Sequence, residues 1–486
     1  MHKSHSATRE RTLLNLLLFV TLITLGVVEI TIKWDRLVPR PLSSNTEDSE
    51  PTTTRKTSPK TILSLSTTNA PEMALFSKIV HVQPLGPKNA TRDYAKDLRH
   101  GFVTWRDGKA LVDTSIVYQP ERKPISDVQA FLKKEAVEMS QETDGLSPYL
   151  KTSGDVIAEA RRVQQSLFSY LADDEKYAVL IGTVASKNKG DSAITIGEMM
   201  LLEKLQIELL YYINVFFCND KMFERAKGLL ALHATDEVVI LMHGGGNLVG
   251  NTYYAAGDCR EKAFEAFPNH KKILLSQSFI MSGSKKTVDQ RVEMYCCNPK
   301  LTILLRDRLS LYIAKRMFTN GTKLLLAPDM AYAIGPISRF SPPLYDIMWL
   351  HRSDTESPMY NSLPAFPPNI SVRKSDWLKW ASPTGTSTVE SAHNELMNGL
   401  LFLQRGRVVV TDRLHGHILC VLLDIPHVLL DNADNKLSSY YNTWTRGLAN
   451  TRLTDNPQDA ARLAMELLET YSESLPPISK TFKFKE

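Results

Sequence analysis

The chain of 486 residues is poor in cysteine. There are five (Cys218, Cys259, Cys296, Cys297 and Cys420), with no Cys-x-x-Cys pair and no spacing of a zinc site. That pattern excludes the common cysteine-ligated metal centres, and no metal is expected. An odd count leaves at least one thiol unpaired within the chain, and Cys218 and Cys420, set in apolar surroundings, read as small core residues. Excess charge is also lacking. A formal net charge of +5, without any basic-aromatic module, argues against a nucleic-acid partner. No internal repeat is visible, so a solenoid is excluded. What is present, at 43% hydrophobic and 23% charged residues, is an ordinary globular composition, long enough for two domains with extensions.

The N-terminus departs from that composition. Residues 13–32 are almost wholly apolar and about as long as a helix that crosses a bilayer. Lys3, Arg9 and Arg11 precede the run and Lys33, Arg36 and Arg40 come after it, so flanking charge does not decide the orientation. The run exceeds a usual signal-peptide core and no small-x-small cleavage site succeeds it, which favours an uncleaved signal anchor over a cleaved peptide. Residues 1–12 would then be a cytoplasmic tail. Residues 33–74, rich in Ser, Thr and Pro, read as a disordered stem. Three glycosylation tripeptides, at Asn89, Asn320 and Asn369, fit a lumenal location for the rest of the chain. Residues 75–174 form an extension without a recognisable motif, apart from a helical pattern near Gly154–Tyr170.

From Tyr177 the chain alternates. Short apolar runs at Tyr177–Ile181, Val238–Met242, Ile273–Leu275, Leu301–Leu305 and Lys323–Leu326 read as strands, with helical patterns at Ala193–Leu210 and Leu309–Phe318. After Ile334-Gly335-Pro336 the pattern resumes, with strands at Tyr345–Leu350, Arg407–Val410 and Pro426–Leu430. Helices are expected at Val389–Leu403, Gly416–Leu423 and Pro457–Tyr471. This predicts an α/β fold of two Rossmann-like domains, residues 175–335 and 336–475, facing a cleft.

Polar residues gather where strands end. In Val408-Val409-Val410-Thr411-Asp412-Arg413-Leu414-His415-Gly416-His417, a β-branched run gives way to a cation, an imidazole and a glycine. An open α/β sheet handles ligands at such strand ends. Arg413 can grip a phosphate or carboxylate with two prongs, and His415 can exchange protons near neutral pH. At a strand end these two share a face. His417, about 200° round a helix from His415, is placed on the cleft or in packing. Asn188-Lys189-Gly190-Asp191 opens a helix whose free N–H groups can meet an anion. His243 precedes Gly244-Gly245-Gly246-Asn247, a turn able to form an anion-binding nest. Arg306 ends the Leu301–Leu305 strand, and Lys436 lies just past Asp431-Asn432 beyond the last one.

Taken in order, Asn188-x-Gly190-Asp191-x-Ala193-Ile194, Gly244-Gly245-Gly246, Leu305-Arg306-Asp307-x-x-Ser310, Ala327-Pro328-Asp329, Thr411-Asp412-Arg413-Leu414-His415-Gly416, and Asp431-Asn432 with Lys436 resemble the polysaccharide pyruvyl transferase family over about residues 177–445. His243 before the triple glycine departs from the pattern. The resemblance implies the two-domain glycosyltransferase B arrangement, which agrees with the alternation. It implies transfer of the enolpyruvyl group of phosphoenolpyruvate onto a sugar, galactose in eukaryotic members, to give a pyruvate ketal. It also implies a single-pass type II Golgi protein, catalytic part in the lumen, with phosphoenolpyruvate as donor substrate and no cofactor.

The chemistry suits the residues. Phosphoenolpyruvate carries a phosphate and a carboxylate on adjacent carbons, and two arginines and a lysine answer that charge. Arg413 and Arg306 are expected to clamp the donor, with Gly244, Gly245 and Gly246 beside it. His415 is expected to act as general acid and base, with Arg413 beside it in the catalytic pair, and Lys436 to neutralise departing phosphate. Gly190, Asp191, Asn247 and His417 are expected to line the cleft. Two rivals share the fold class: a metal-independent nucleotide-sugar glycosyltransferase and a non-catalytic glycan-binding protein. No Asp-x-Asp triplet occurs, against a metal-dependent transferase of the other common fold.

Overall fold

The computed structural model describes residues 150–172, 174–246, 248–249, 257–279, 288–296, 298–318, 321–354, 363–380, 388–431 and 436–480, and the backbone alone of 103–106, 109–112, 254–256 and 285–287. The expected tail, anchor and stem and most of the expected extension lie outside these residues, as do Asn247, Asn89 and Asn320. Among the described residues no helix is long and apolar enough to cross a membrane.

Strands β1 (Val103–Arg106) and β2 (Lys109–Val112) form an antiparallel hairpin. Helix α1 (Ser153–Leu171) opens on a capping box, with Thr152 Oγ1 accepting from Asp155 N–H and the Asp155 carboxylate accepting from Thr152 N–H.

The remaining strands build two all-parallel sheets. The first has six strands, β3 (Tyr177–Thr183), β4 (Glu208–Asn214), β5 (Val238–Met242), β6 (Lys271–Gln277), β7 (Leu301–Leu305) and β8 (Lys323–Leu326), in the order β4-β3-β5-β6-β7-β8. Helices α2 (Lys189–Leu205), α3 (Asp220–Leu230), α4 (Tyr254–Ala266), α5 (Lys285–Tyr295) and α6 (Arg308–Met317) connect them. All five residues of β5 are buried, the signature of a strand covered on both faces. The second sheet has five strands, β9 (Tyr345–Leu350), β10 (Val372–Ser375), β11 (Gly406–Thr411), β12 (His427–Leu430) and β13 (Thr451–Thr454), in the order β10-β9-β11-β12-β13. Its helices are α7 (Val389–Gln404), α8 (Leu414–Leu422), α9 (Lys436–Tyr440) and α10 (Pro457–Thr470). The chain passes between the sheets through a 3₁₀ turn, Met330–Ile334, and Gly335.

The helix expected over Ala193–Leu210 is two elements. Helix α2 begins earlier, at Lys189, and stops at Leu205, because Gln206 turns left-handed (φ 58°) and sends its N–H back to the carbonyls of Leu202 and Glu203. The apolar residues beyond it become β4. Strands β10 and β13 are not anticipated by the sequence pattern either; both are four-residue edge strands, mostly half-buried.

Several contacts join the lobes. Lys189, at the start of α2, is buried against Glu395 of α7 in an ion pair. Trp444 Nε1 donates to the carbonyl of Arg306 at 2.7 Å, and Ser439 Oγ to Asp307 at 2.8 Å. Cys218, expected as a core thiol, is joined to Cys259 by a disulfide with Cα atoms 5.4 Å apart, whereas Cys420 is free and buried.

Candidate active site

In a parallel sheet every strand delivers its carboxyl end to the same edge, and residues just beyond those ends are positioned by rigid backbone. Arg306 is the first residue past β7 and donates its own N–H to the carbonyl of Gln277. Its Nε donates to Ser278 Oγ at 2.7 Å and its Nη1 to Asp329 Oδ2 at 2.8 Å. Asp329 lies just past β8 and is wholly buried. Its Oδ1 accepts from Ala331 N–H at 3.0 Å, capping the 3₁₀ turn, and its carbonyl accepts from Gln164 of α1 at 2.9 Å. Its N–H meets Tyr440 Oη from the second lobe at 3.4 Å.

His415 reaches the same carboxylate from the second lobe. It stands in the first turn of α8, and its Nε2 lies 3.3 Å from Asp329 Oδ2. One carboxylate oxygen thus bridges a cation of the first lobe and an imidazole of the second. Burial by itself would raise the Asp329 pKa. The charge and hydrogen bond of His415, and then Arg306, outweigh it and hold the carboxyl well below its ordinary range. Nε2 is thus engaged by Asp329, and Nδ1 is the other ring nitrogen. The His415 ring lies directly on Gly190, where an added Cβ would overlap Nδ1 and Cγ. Beside it, Asp191 is fixed by Asn188 Nδ2 at 3.1 Å and Ser186 Oγ at 3.4 Å.

Arg413 stands at the N-cap of α8 in a different cluster. Its Nε and Nη2 donate to Asp376, and Nη2 also reaches Asp354 at 3.1 Å. Asp354 in turn pairs with Arg352. Burial pushes the Asp376 pKa up, but the charge and hydrogen bonds of Arg413, with Ser353, bring it below the usual range. Asp412 ties β11 to β9 by accepting from His351 Nδ1 and from the N–H of Arg352.

Two expectations need correction. The triple glycine is not an open nest: Gly244 N–H is taken by Glu198 Oε1 at 2.9 Å and Gly245 N–H by the carbonyl of Ser276 at 3.0 Å. Gly245 is buried and holds φ +138°, a conformation that favours glycine, with open space where a Cβ would stand. His243, which has no role in the sequence pattern, braces this turn through Nδ1 and Glu198 Oε2, 2.7 Å apart. His417 does not line the cleft. It is fully buried, with Nδ1 2.6 Å from His427 Nε2 and Nε2 2.9 Å from Thr445 Oγ1, and burial first, then the charge of His427, push its pKa down. The helical period sends it inward, opposite His415. Lys436 begins α9, one turn before Tyr440, half-buried.

Sequence reasoning includes Asp329 in a motif without giving it a task, and passes over Asp376, Asp354, Ser278 and Glu198. Asp329 carries one signal, an acid straight after a strand and a proline. The others carry none, since each acts through a partner far away in the chain.

Two parallel-sheet lobes whose carboxyl ends share an Arg–Asp–His bridge define a two-lobed α/β protein with its polar machinery where the lobes meet. The chain belongs to the polysaccharide pyruvyl transferases, whose family model matches residues 188–435, and is a transferase of that kind. It is 32% identical over 292 residues to Pyruvyl transferase 1 of Schizosaccharomyces pombe, covering 57% of this chain and 72% of that protein. It is 28% identical over 240 residues to the Putative pyruvyl transferase EpsO of Bacillus subtilis, covering 44% of this chain and 72% of the relative. General stress protein 30 of Bacillus subtilis matches at 25% identity over 332 residues, 64% of this chain and 91% of that protein.

Proposed function

We propose that the protein moves the enolpyruvyl group of phosphoenolpyruvate onto two hydroxyls of a sugar, galactose on a glycan, forming a pyruvate ketal and releasing phosphate. The observation that carries this reading is the Asp329 carboxylate shared by Arg306 and His415 across the two lobes. It holds a cation and a proton carrier side by side, as an anionic donor needs.

Both arginines keep a prong. Arg306 spends Nε and Nη1 on protein partners, and Arg413 spends Nε and Nη2. Arg306 Nη2 and Arg413 Nη1 are the groups offered to the phosphate and carboxylate. Protonated His415 gives its Nδ1 proton to the donor's C3, leaving positive charge at C2 that the attached oxygen shares. A sugar hydroxyl oxygen bonds to C2 and its proton returns to His415. The bond from C2 to the phosphate oxygen then breaks, the second hydroxyl closes the ketal, and its proton leaves with phosphate, whose charge Lys436 offsets. Asp329 stabilises the imidazolium and fixes the ring. Asp191, Gly190 and the backbone at Gly245 border the acceptor side.

Placement belongs to the same reading. The apolar run at 13–32 would anchor the chain as a single-pass type II Golgi protein with the lobes in the lumen. The Cys218–Cys259 disulfide suits an oxidising compartment, and Asn369 of the third glycosylation tripeptide is exposed in a turn. A peptide N-glycosidase shift of the cell-made protein, smaller in Asn369→Gln, is expected.

The direct test gives the full chain phosphoenolpyruvate and a β-galactoside without added metal. Phosphate release together with a sugar heavier by pyruvate less water is expected. If neither appears and a nucleotide sugar raises the thermal midpoint instead, the donor assignment is wrong.

A further inference from the structure

Away from the Arg306–Asp329–His415 bridge, a cavity of about 1110 Å³ lies between α1, the crossover at Pro336–Arg339, the segment Val421–Asp424 and the C-terminal Tyr471–Pro476. None of the candidate active-site residues lines it. Its charge is lopsided: Lys151, Arg161 and Arg339 face Asp424 alone, and Asp424 already accepts from Asn450 Nδ2 at 2.9 Å.

Arg161 is the unusual member. The residue is 8% exposed, and its Nη2 is fully buried without a hydrogen-bond partner. Arg161 joins no ion pair among the described residues, and burial lowers its pKa. Its guanidinium rests against Gly335, where an added Cβ would stand 3.0 Å from Nη1. Arg339 differs, since its Nη1 and Nη2 are spent on the carbonyls of Gly406 and Arg407. A buried guanidinium without a counter-charge is costly, and a bound anion would offset that cost.

We infer that this cavity is a second, non-catalytic site for a small oxyanion, a phosphate- or carboxylate-bearing molecule gripped by Arg161 with Lys151 at the rim. The site is coupled to the first. Gln164 stands one turn beyond Arg161 on α1 and holds the carbonyl of Asp329, while Arg161 itself touches the glycine at which the chain crosses between lobes. An anion that fixes Arg161 therefore bears on both the crossover and the segment that carries Asp329.

The test uses the full chain and two probes, inorganic phosphate and malonate, each titrated while the thermal midpoint is monitored in wild type, Arg161→Met and Lys151→Gln. At least one anion is expected to stabilise wild type, with that rise smaller at every concentration in Arg161→Met. Without anion, Arg161→Met is expected to be no less stable than wild type, since it removes an uncompensated buried charge. The stronger anion identifies the ligand class. A response to both anions that is the same in Arg161→Met as in wild type, or no response at all, overturns the proposal. Should Arg161→Met fail to fold, Lys151→Gln decides: a severalfold weaker anion response supports the site and an unchanged one overturns it. No arm depends on turnover, so a failed pyruvyl-transfer assay leaves the result readable.

Discussion

At the scale of single residues, the site separates groups that act from groups that hold. His415→Ala is expected to lower kcat by about 10²–10⁴-fold, the usual worth of a positioned acid-base group, and to lower the urea midpoint as well, because the ring is largely buried and partners the buried Asp329 carboxylate. Near-normal turnover in that variant would sink the role. Asp329→Asn is expected to cost both quantities, since it strands the buried Arg306 guanidinium, at about 3–5 kcal/mol for one broken buried pair. Gly190→Ala tests geometry alone. Its methyl would push on His415 Nδ1, so turnover should fall sharply in wild type and hardly at all in a His415→Ala background; additive losses would show that the two do not share a task. Arg306, Arg413 and His415 can be picked out of the sequence because each interrupts an apolar strand abruptly. His417 is misplaced by sequence reasoning because two histidines in one short motif look alike until a helix turns one inward. Asp376 and Asp354 are illegible there, since 37 and 59 residues separate them from the arginine they serve.

At the scale of elements, α2 and α7 carry an electrostatic tie between the lobes away from the candidate site. Lys189 and Glu395 are both buried, and burial lowers the lysine pKa against the opposing pull of Glu395. Removing one partner leaves an uncompensated buried charge, so Glu395→Gln is expected to destabilise by about 3–5 kcal/mol, while Lys189→Met with Glu395→Leu recovers much of that loss. Urea unfolding of the two variants checks this, and a double variant no better than the single one would mean that the charges do more than offset each other. The strands of both sheets can be anticipated wherever they are wholly buried, as at Val238–Met242, because continuous apolar runs between turns admit few other readings. Strand β4 cannot, since its apolar residues continue those of α2 and only the backbone at Gln206 marks the change. Edge strands β10 and β13 are short and mostly half-buried, so hydrophobic pattern says little about them.

At the scale of the whole molecule, the centre of the second lobe sets a lower bound on the pH at which the protein stays folded. His417 and His427 face each other there, fully buried, and among the described residues their ring nitrogens meet only each other, Thr445, Thr451 and the carbonyl of Ile425. Burial pushes His427 down from 6.5 to about 4 and lowers His417 as well, with the charge of one opposing the charge of the other. A histidine depressed in the folded state gives stability that is complete above its unfolded pKa. That stability is lost as pH falls from about 6.5 toward 4, because only the unfolded chain takes up the proton. For His427 the difference is worth about 3 kcal/mol at about 1.4 kcal/mol per unit. Urea midpoints should therefore fall steadily between about pH 6.5 and 4 and do so less in His427→Asn, which can still donate to the carbonyl of Ile425 but takes up no proton. Asp329 acts lower down: its depressed pKa gives stability that is lost only as pH drops below the ordinary carboxylate range, so the two windows are separable. If wild type and His427→Asn lose stability equally over the upper window, the His427 imidazole is not what senses acid there, and the other histidines lowered by burial, His270 and His393, are the next to substitute.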